Sequence, residues 1–386
     1  MKVFVIAGEP SGDALGAALM EGLRSLRVDV DFAGVGGPLM AEQGLHSQFP
    51  MEELSIMGLA EVLPKYRALK RRIRQTAQAI TAQAPDVVVT IDSPDFCLRV
   101  LAQARAAAPQ LKTVHYVAPS VWAWRPKRAA KMARVVDHVL ALLPFEPPYM
   151  EAAGMSCDFV GHPLTTEPVA SAAEAAAFRA SHGIAADAPL ILALPGSRKG
   201  EIERLAPPFG AALTQVLAEV PEAQIVVPSV GARVAQMRAA LSDWPGAPLI
   251  LDASSVPIAE KRAAFRAADV ALAASGTVSL ELAAAATPMV IAGRMNALSE
   301  ILMKRLLLID TVTLVNLVSE TRAVAEFLGP DCIAEDMAPA VVALLQGGAE
   351  RQAQLAAMEL TMERLGRGGE APGLRAARSV LAALER

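Results

Sequence analysis

Short aliphatic runs alternate with alanine-rich, helix-length stretches along most of this chain, and that alternation leaves few folds open to it. In the first half the runs fall at 3–7, 30–35, 87–91, 113–117, 138–142 and 158–160, with helices between them, notably over 15–26 and 64–82. A second series begins near Leu190, with runs at 190–194, 224–227, 249–251, 270–273 and 289–291. Apolar runs separated by helical segments predict parallel sheets whose crossover helices cover both faces, an α/β fold. In such sheets a ligand sits beyond the carboxyl ends of the strands, so the residues just after each run carry the functional information.

At 386 residues the chain is too long for one such core and suits two. The stretch 165–189 is polar and alanine-rich and reads as a link with one helix. We therefore expect an N-terminal lobe at 1–165 and a second lobe at 166–369. The end of the chain, from about Met337, is helical with breaks at Gly347-Gly348 and at 366–373. The final helix, 370–386, is expected to pack back on the first lobe.

Hydrophobic residues make up 53% of the chain and aromatics only 4%, so aliphatic side chains must fill both cores. Lysine and arginine number 36 against 40 aspartates and glutamates, a net charge of −4, which argues against a general nucleic-acid binder. Cys97, Cys157 and Cys332 are far apart and form no metal-ligand spacing, as in a reducing compartment. The strand-like run from Val3 has no charged and apolar leader before it, and no uncharged apolar stretch reaches membrane-spanning length. A cytoplasmic chain is the expectation.

Five segments carry chemistry. Gly8-Glu9-Pro10-Ser11-Gly12-Asp13 joins the first run to its helix, where small residues and free amides suit an anion. A tight turn with Ser11 or Asp13 as N-cap accounts for the same residues. Asp92, in Ile91-Asp92-Ser93-Pro94-Asp95, stands at a strand end where a carboxylate can act as a general base. A helix cap with Pro94 in the first helical position is the alternative. The stretch from His115 to Arg125 holds two of the three tryptophans, Trp122 and Trp124, in a chain poor in aromatics. Their faces suit a sugar ring or an acyl chain, and Arg125 a phosphate; a small aromatic cluster under a loop is the alternative.

In the second series, Gly196-Ser197-Arg198 turns into a helix that begins near Glu201. Amides at a helix start beside a guanidinium make a diphosphate grip, and a capped turn with Arg198 in water is the alternative. Ser275-Gly276-Thr277 repeats the arrangement after the run at 270–273, and Glu281, one turn on, is placed to accept the hydroxyls of a ribose. A capped helix with Glu281 on its surface fits the same pattern. Finally, Lys65, Arg67, Lys70, Arg71, Arg72 and Arg74 crowd the start of a helix whose apolar face runs through Tyr66, Leu69, Ile73, Ala77 and Ile80. Pro64 suits its first position. Such a helix either lies on an anionic membrane or packs on a sheet with its charges in water.

Together these segments resemble the lipid-A-disaccharide synthase family. The matching blocks are AGEPSGD (7–13), GVGGPLM (34–40), SIMGLAEVL (55–63), IDSPDFC (91–97), HYVAPSVWAWRPKR (115–128), LPFE (143–146), GHPL (161–164), LPGSRKGEI (194–202), ASGTVSLE (274–281) and RMN (294–296). They span most of the chain in order, and the block at 115–128 is the most specific.

The resemblance implies a GT-B fold, two Rossmann-like doubly wound lobes with an interlobe cleft. It implies transfer of 2,3-diacylglucosamine from UDP-2,3-diacylglucosamine to 2,3-diacylglucosamine 1-phosphate (lipid X), with UDP released and neither metal nor cofactor required. By analogy Asp92 is the base. Glu9, Ser11, Gly12, Asp13, Asp95, His115, Trp122 and Arg125 line the acceptor side. Gly196, Ser197, Arg198, Ser275, Gly276, Thr277, Glu281 and Asn316 hold UDP. The acylated substrates imply peripheral attachment to the anionic inner-membrane surface, and a homodimer is open to such a chain. Thr166, Val315 and Gly329 depart from the family pattern. Another UDP-sugar enzyme of the same fold, such as a lipid-linked glycosyltransferase or a UDP-sugar 2-epimerase, is the competing expectation.

Overall fold

The computed structural model describes residues 1–54, 59–229, 231–252, 254–296, 300 and 306–385, with 59–66 and 232 described as backbone alone. Ser55 to Gly58 of the family block at 55–63, and the side chains of Lys65 and Tyr66, lie outside the described residues.

The chain divides into two compact units, one formed by Met1–Thr166 with Gly368–Arg386, the other by Glu167–Arg367. The first holds six strands: β1 (Lys2–Ala7), β2 (Asp31–Val35), β3 (Val87–Ile91), β4 (Thr113–Tyr116), β5 (His138–Ala141) and β6 (Ser156–Phe159). They lie in the order β2-β1-β3-β4-β5-β6, and every pairing is parallel. The order reverses between β1 and β3. There Ala7 pairs with Ile91, so Gly8 and Asp92 leave the sheet side by side.

Alternate residues of each strand enter opposite cores, as the two-residue period of a strand requires. Phe4, Ile6 and Val88 join one cluster with Ile73, Ile80, Val100 and Leu101. Val3, Val5, Val87 and Val89 join the other with Leu19, Leu23, Ala376 and Val380. The last two residues come from the helix Pro372–Glu385, which closes the first unit after the chain has built the second. That helix lies so close to the helix Pro10–Leu26 that a Cβ on Gly22 would stand 2.6 Å from the Gly373 carbonyl oxygen. Polar contacts fasten it further. Arg375 Nη2 donates to the Phe159 carbonyl at 2.6 Å, and Ser379 Oγ donates to Asp158 at 2.6 Å while meeting His138 Nε2 at 2.7 Å.

The second unit holds β7 (Leu190–Leu194), β8 (Gln224–Ser229), β9 (Leu249–Asp252), β10 (Val270–Ala274), β11 (Met289–Gly293) and β12 (Ala325–Leu328). Their order is β12-β11-β10-β7-β8-β9, again all parallel, with the reversal between β7 and β10. Both sheets are doubly wound. The link region contains the helix Ala172–Ser181, capped by a reciprocal Ser171–Glu174 box. β12 escapes the sequence pattern because it is an edge strand of four residues, half-buried throughout and carrying Glu326.

The basic helix runs from Leu59 to Gln83, so it begins five residues before Pro64, the expected start. Its Ile73, Thr76, Ala77 and Ile80 are buried, while Arg67, Lys70, Arg71 and Arg74 are exposed. Arg72 is different: it makes a two-pronged contact with Glu53 at 2.8 and 2.6 Å and stacks on Phe49. Among the described residues no helix is long and apolar enough to cross a membrane.

Candidate active site

Two groups of residues collect at the two strand-order reversals, and each is set by its own sheet. In the first unit the backbone after β3 is strained. Asp92 and Ser93 have φ of 49° and 44°, and beyond β4, Val117 has φ of 80° and Arg125 of 50°. These four are half of the eight non-glycine residues with positive φ among the described residues, and the β-branched Val117 is an outlier by any standard. Such strain persists only where surrounding structure enforces it, and it concentrates at functional sites. The enforcing bonds run from Asp92 N–H to the Tyr116 carbonyl and from Val117 N–H to the Leu140 carbonyl, both 3.0 Å. Ser93 then caps the helix Pro94–Ala107, its carbonyl accepting from Phe96 and Cys97. The half-buried Asp92 carboxylate is engaged by no hydrogen bond or ion pair among the described residues. Exposed Asp95 follows in the first helical turn.

The neighbouring turn after β1 distributes its residues differently from the sequence expectation. Glu9, not Ser11 or Asp13, is the N-cap of the helix Pro10–Leu26, with Pro10 in the first turn. Ser11 is exposed and Glu9 half-buried, so these two remain available to a ligand. Gly12 is buried against Ala7 and Ile91. Asp13 is 2% exposed, and its carboxylate accepts the amides of Gly37, Leu39 and Met40 at 2.9–3.0 Å. It caps the short helix Pro38–Glu42.

Two further residues of the expected acceptor side are buried and already partnered. His115 is a core residue, 1% exposed, paired through Nδ1 with Thr90 Oγ1 at 2.7 Å, and burial holds its imidazole down to about 4. Trp122 is no open platform: it is 8% exposed, packs edge-on against Phe145, and donates through Nε1 to Glu146 at 3.2 Å. The cluster-under-a-loop alternative describes it. Burial lifts the Glu146 carboxyl to about 7, against the pull of the Leu143 amide and the Trp122 indole. Arg125 is exposed and stacks on Trp124 at 4.2 Å. All three thiols are buried, and burial raises their pKa values, so they are poor nucleophiles.

In the second unit a cavity of about 530 Å³ opens at the carboxyl ends of β7 and β10, the reversal point. Gly196, Ser197, Arg198, Ser275, Gly276, Thr277 and Glu281 all line it. The eighth expected UDP ligand, Asn316, does not. It is 1% exposed, and its amide is fully engaged with Thr311 and with both backbone groups of Val324. Gly276, at φ 155°, has open space where a side chain would project. The floor is apolar, with Leu194, Leu251, Val256 and Phe265. Two ion pairs flank the opening: Arg198 with Glu201 at 3.1 Å, and Lys261 with Glu281 at 2.7 Å. Lys261 had no signal in the sequence, since it sits mid-helix, 20 residues from its partner.

A cavity at a helix start, lined by two cations each paired with a carboxylate and floored by apolar side chains, suits a nucleoside diphosphate. A family model described as lipid-A-disaccharide synthetase matches residues 3–372. The chain belongs to the lipid-A-disaccharide synthase family. It is 63% identical over 385 residues to the lipid-A-disaccharide synthase of Ruegeria pomeroyi, covering 99% of this chain and 95% of that one. It is 47% identical over 382 residues to that of Rhodospirillum centenum, covering 99% and 94%. Membership in the lipid-A-disaccharide synthase family makes it a glycosyltransferase of the disaccharide-forming step of lipid A synthesis. Solved structures agree on the GT-B type of fold. The UDP-GlcNAc 2-epimerase of Neisseria meningitidis, bound to UDP-GlcNAc, superposes with a TM-score of 0.62 at 12% identity, covering all of both chains. The UDP-GlcNAc 2-epimerase of Methanocaldococcus jannaschii gives 0.58 at 15%, covering 99% of each. At such identities the likeness concerns the fold alone.

Proposed function

We propose that this enzyme transfers 2,3-diacylglucosamine from UDP-2,3-diacylglucosamine to the primary hydroxyl of 2,3-diacylglucosamine 1-phosphate, lipid X. The products are the β-1,6-linked disaccharide 1-phosphate and UDP. Asp92 takes the hydroxyl proton as the oxygen attacks the anomeric carbon, and the bond from that carbon to the UDP oxygen breaks, UDP leaving with the electron pair. Glu9, Ser11, Asp95 and Arg125, the outward-facing members of the first-unit segments, serve the acceptor. In the second unit Arg198 and the amides of Gly276 and Thr277 neutralise the diphosphate as its charge grows, while the Ser275 amide stays in the sheet with the Ala292 carbonyl. Glu281 accepts the ribose hydroxyls, and the apolar floor receives the uracil.

The observation that carries this reading is the convergence of seven expected donor ligands on one cavity at the strand-order reversal. The unengaged carboxylate on a strained turn supports the role of Asp92. Attachment to the cytoplasmic face of the inner membrane belongs to the same reading. Four exposed cations among the described side chains of the helix Leu59–Gln83, in a chain of net charge −4, support it. Association as a homodimer is part of the proposal too and is read from sedimentation of the purified protein.

The test is an assay of purified protein with the diacylated UDP-sugar and lipid X, followed by mass spectrometry. Disaccharide 1-phosphate and UDP in equal amounts are expected. Epimerised UDP-sugar, or UDP released without disaccharide, would overturn the assignment.

A further inference from the structure

We propose that Lys261 is a positioning residue that fixes Glu281 for the ribose and so makes the cavity selective for ribonucleotides over 2′-deoxyribonucleotides. This rests on the reading that the cavity holds UDP.

Lys261 Nζ lies 2.7 Å from Glu281 Oε2, and both side chains, each 38% exposed, line the cavity. The ammonium also stands 5.0 Å from the centre of the Phe265 ring, one turn along the same helix, Ile258–Ala267. Ring and carboxylate together restrict an otherwise flexible stem. An ionised carboxylate has about four acceptor positions. The lysine takes one of them, which leaves enough for two vicinal hydroxyls.

Without the lysine, two things change. Glu281 sits in the first turn of the helix Val278–Ala285, the same helix start that is to receive the diphosphate. Two like charges on one turn repel, and a cation beside the carboxylate offsets that repulsion. The freed side chain would also swing through several rotamers, and a ribose binding to it would have to order it again. With the lysine in place, a sugar lacking the 2′-hydroxyl leaves a fixed, partly desolvated acceptor unpaired. A lost hydrogen bond to a charged group costs roughly ten- to a hundredfold in affinity.

The experiment is calorimetry of the full-length protein with UDP and with 2′-deoxy-UDP, on the wild type, Lys261→Met, Lys261→Arg and Glu281→Ala. The wild type is expected to prefer UDP by about tenfold or more. Lys261→Met should reduce that preference to within about threefold, and raise the donor KM while kcat holds; Lys261→Arg should retain the preference. Equal losses for both nucleotides in Lys261→Met, with their ratio intact, would overturn the proposal and make the lysine a phosphate contact. An unchanged preference in that variant overturns it as well. The underlying reading fails separately. If Arg198→Ala and Glu281→Ala both leave UDP affinity untouched, the nucleotide does not sit in this cavity at all.

Discussion

Glu201 folds back onto the turn that holds Arg198. Its Oε2 accepts the amides of Ser197 and Arg198 at 3.2 and 3.3 Å, and its Oε1 faces the Arg198 guanidinium at 3.1 Å. The turn is shaped for this contact: Gly196 has φ of 112°, and a Cβ there would lie 2.6 Å from Glu201 Cβ. A carboxylate already rests where the proposed diphosphate needs donors. The guanidinium, 72% exposed, is the donor best placed to reach an incoming phosphate without dislodging it. Arg198→Ala should therefore weaken UDP binding by about tenfold or more, the usual weight of a charge-assisted contact. Arg198→Lys should recover only part, because an ammonium is a point charge without the planar fork that binds a phosphate through two parallel N–H groups. Calorimetry with UDP decides it, and an unchanged dissociation constant would place the diphosphate elsewhere.

Asp92→Asn keeps the shape of the strained turn and removes the basic oxygen. Turnover should fall by roughly 10²- to 10⁴-fold, the usual contribution of general-base catalysis, while UDP affinity stays within about twofold. Near-normal turnover would transfer the role to Asp95. Asp13 and His115 are not candidates, being buried and committed to other partners.

Vesicle binding tests the basic helix. Arg67, Arg71 and Arg74 are exposed, whereas Arg72 is locked to Glu53. Reversing the first three to glutamate, and leaving Arg72, removes surface charge without breaking that pair. Each basic residue near an anionic surface contributes about 1 kcal/mol, so co-sedimentation with anionic vesicles should fall by about 10² or more. Binding to neutral vesicles should not change. Full retention on anionic vesicles would show that another surface docks.

Stability should be highest in a window set by buried groups of opposite sense. His115 is neutral in the fold at about 4 against an ordinary 6.5, so the unfolded chain takes up the proton first. Its contribution is complete above pH 6.5 and is lost as pH falls toward 4, by roughly 3 kcal/mol in all. His162, also lowered to about 4 by burial, acts in the same direction. Glu146 is raised to about 7 from 4.5, so here the folded state holds its proton longer. Stability from this group declines as pH rises from 4.5 to 7, by a similar roughly 3 kcal/mol. Because the windows overlap and two histidines outweigh one glutamate, urea unfolding from pH 4 to 8 should show stability rising to about pH 6.5 and then a shallow second, falling limb to about 7, and Glu146→Gln should steepen the rise and remove that second limb. Persistence of the second limb in that variant would assign it to other groups.

Most of the strands and the turns that follow them could be read in advance because both signals are local. An apolar run of five residues must be buried on two faces, and small or acidic residues after it must lie at its carboxyl end. The residues that moved away from their expected places did so for tertiary reasons. Asp13, His115, Trp122 and Asn316 are polar or amphipathic groups whose partners are distant in sequence: the Gly37–Met40 amides, Thr90, Glu146 and Val324. Nothing in the local sequence distinguishes a polar group turned inward to such a partner from one turned toward a ligand. Lys261 is the converse, an ordinary helical lysine until the fold brings Glu281 beside it. The early helix start at Leu59 reflects the same limit, since boundaries depend on what the first turn packs against.

The helix Pro372–Glu385 is translated only after the whole second unit, yet it covers a face of the first sheet to be made. During synthesis that sheet must wait, with part of its apolar surface open, until some two hundred further residues have been translated. Its completion is thereby tied to translation of the whole second unit, and a message cut short before residue 372 yields a first unit with one face left uncovered.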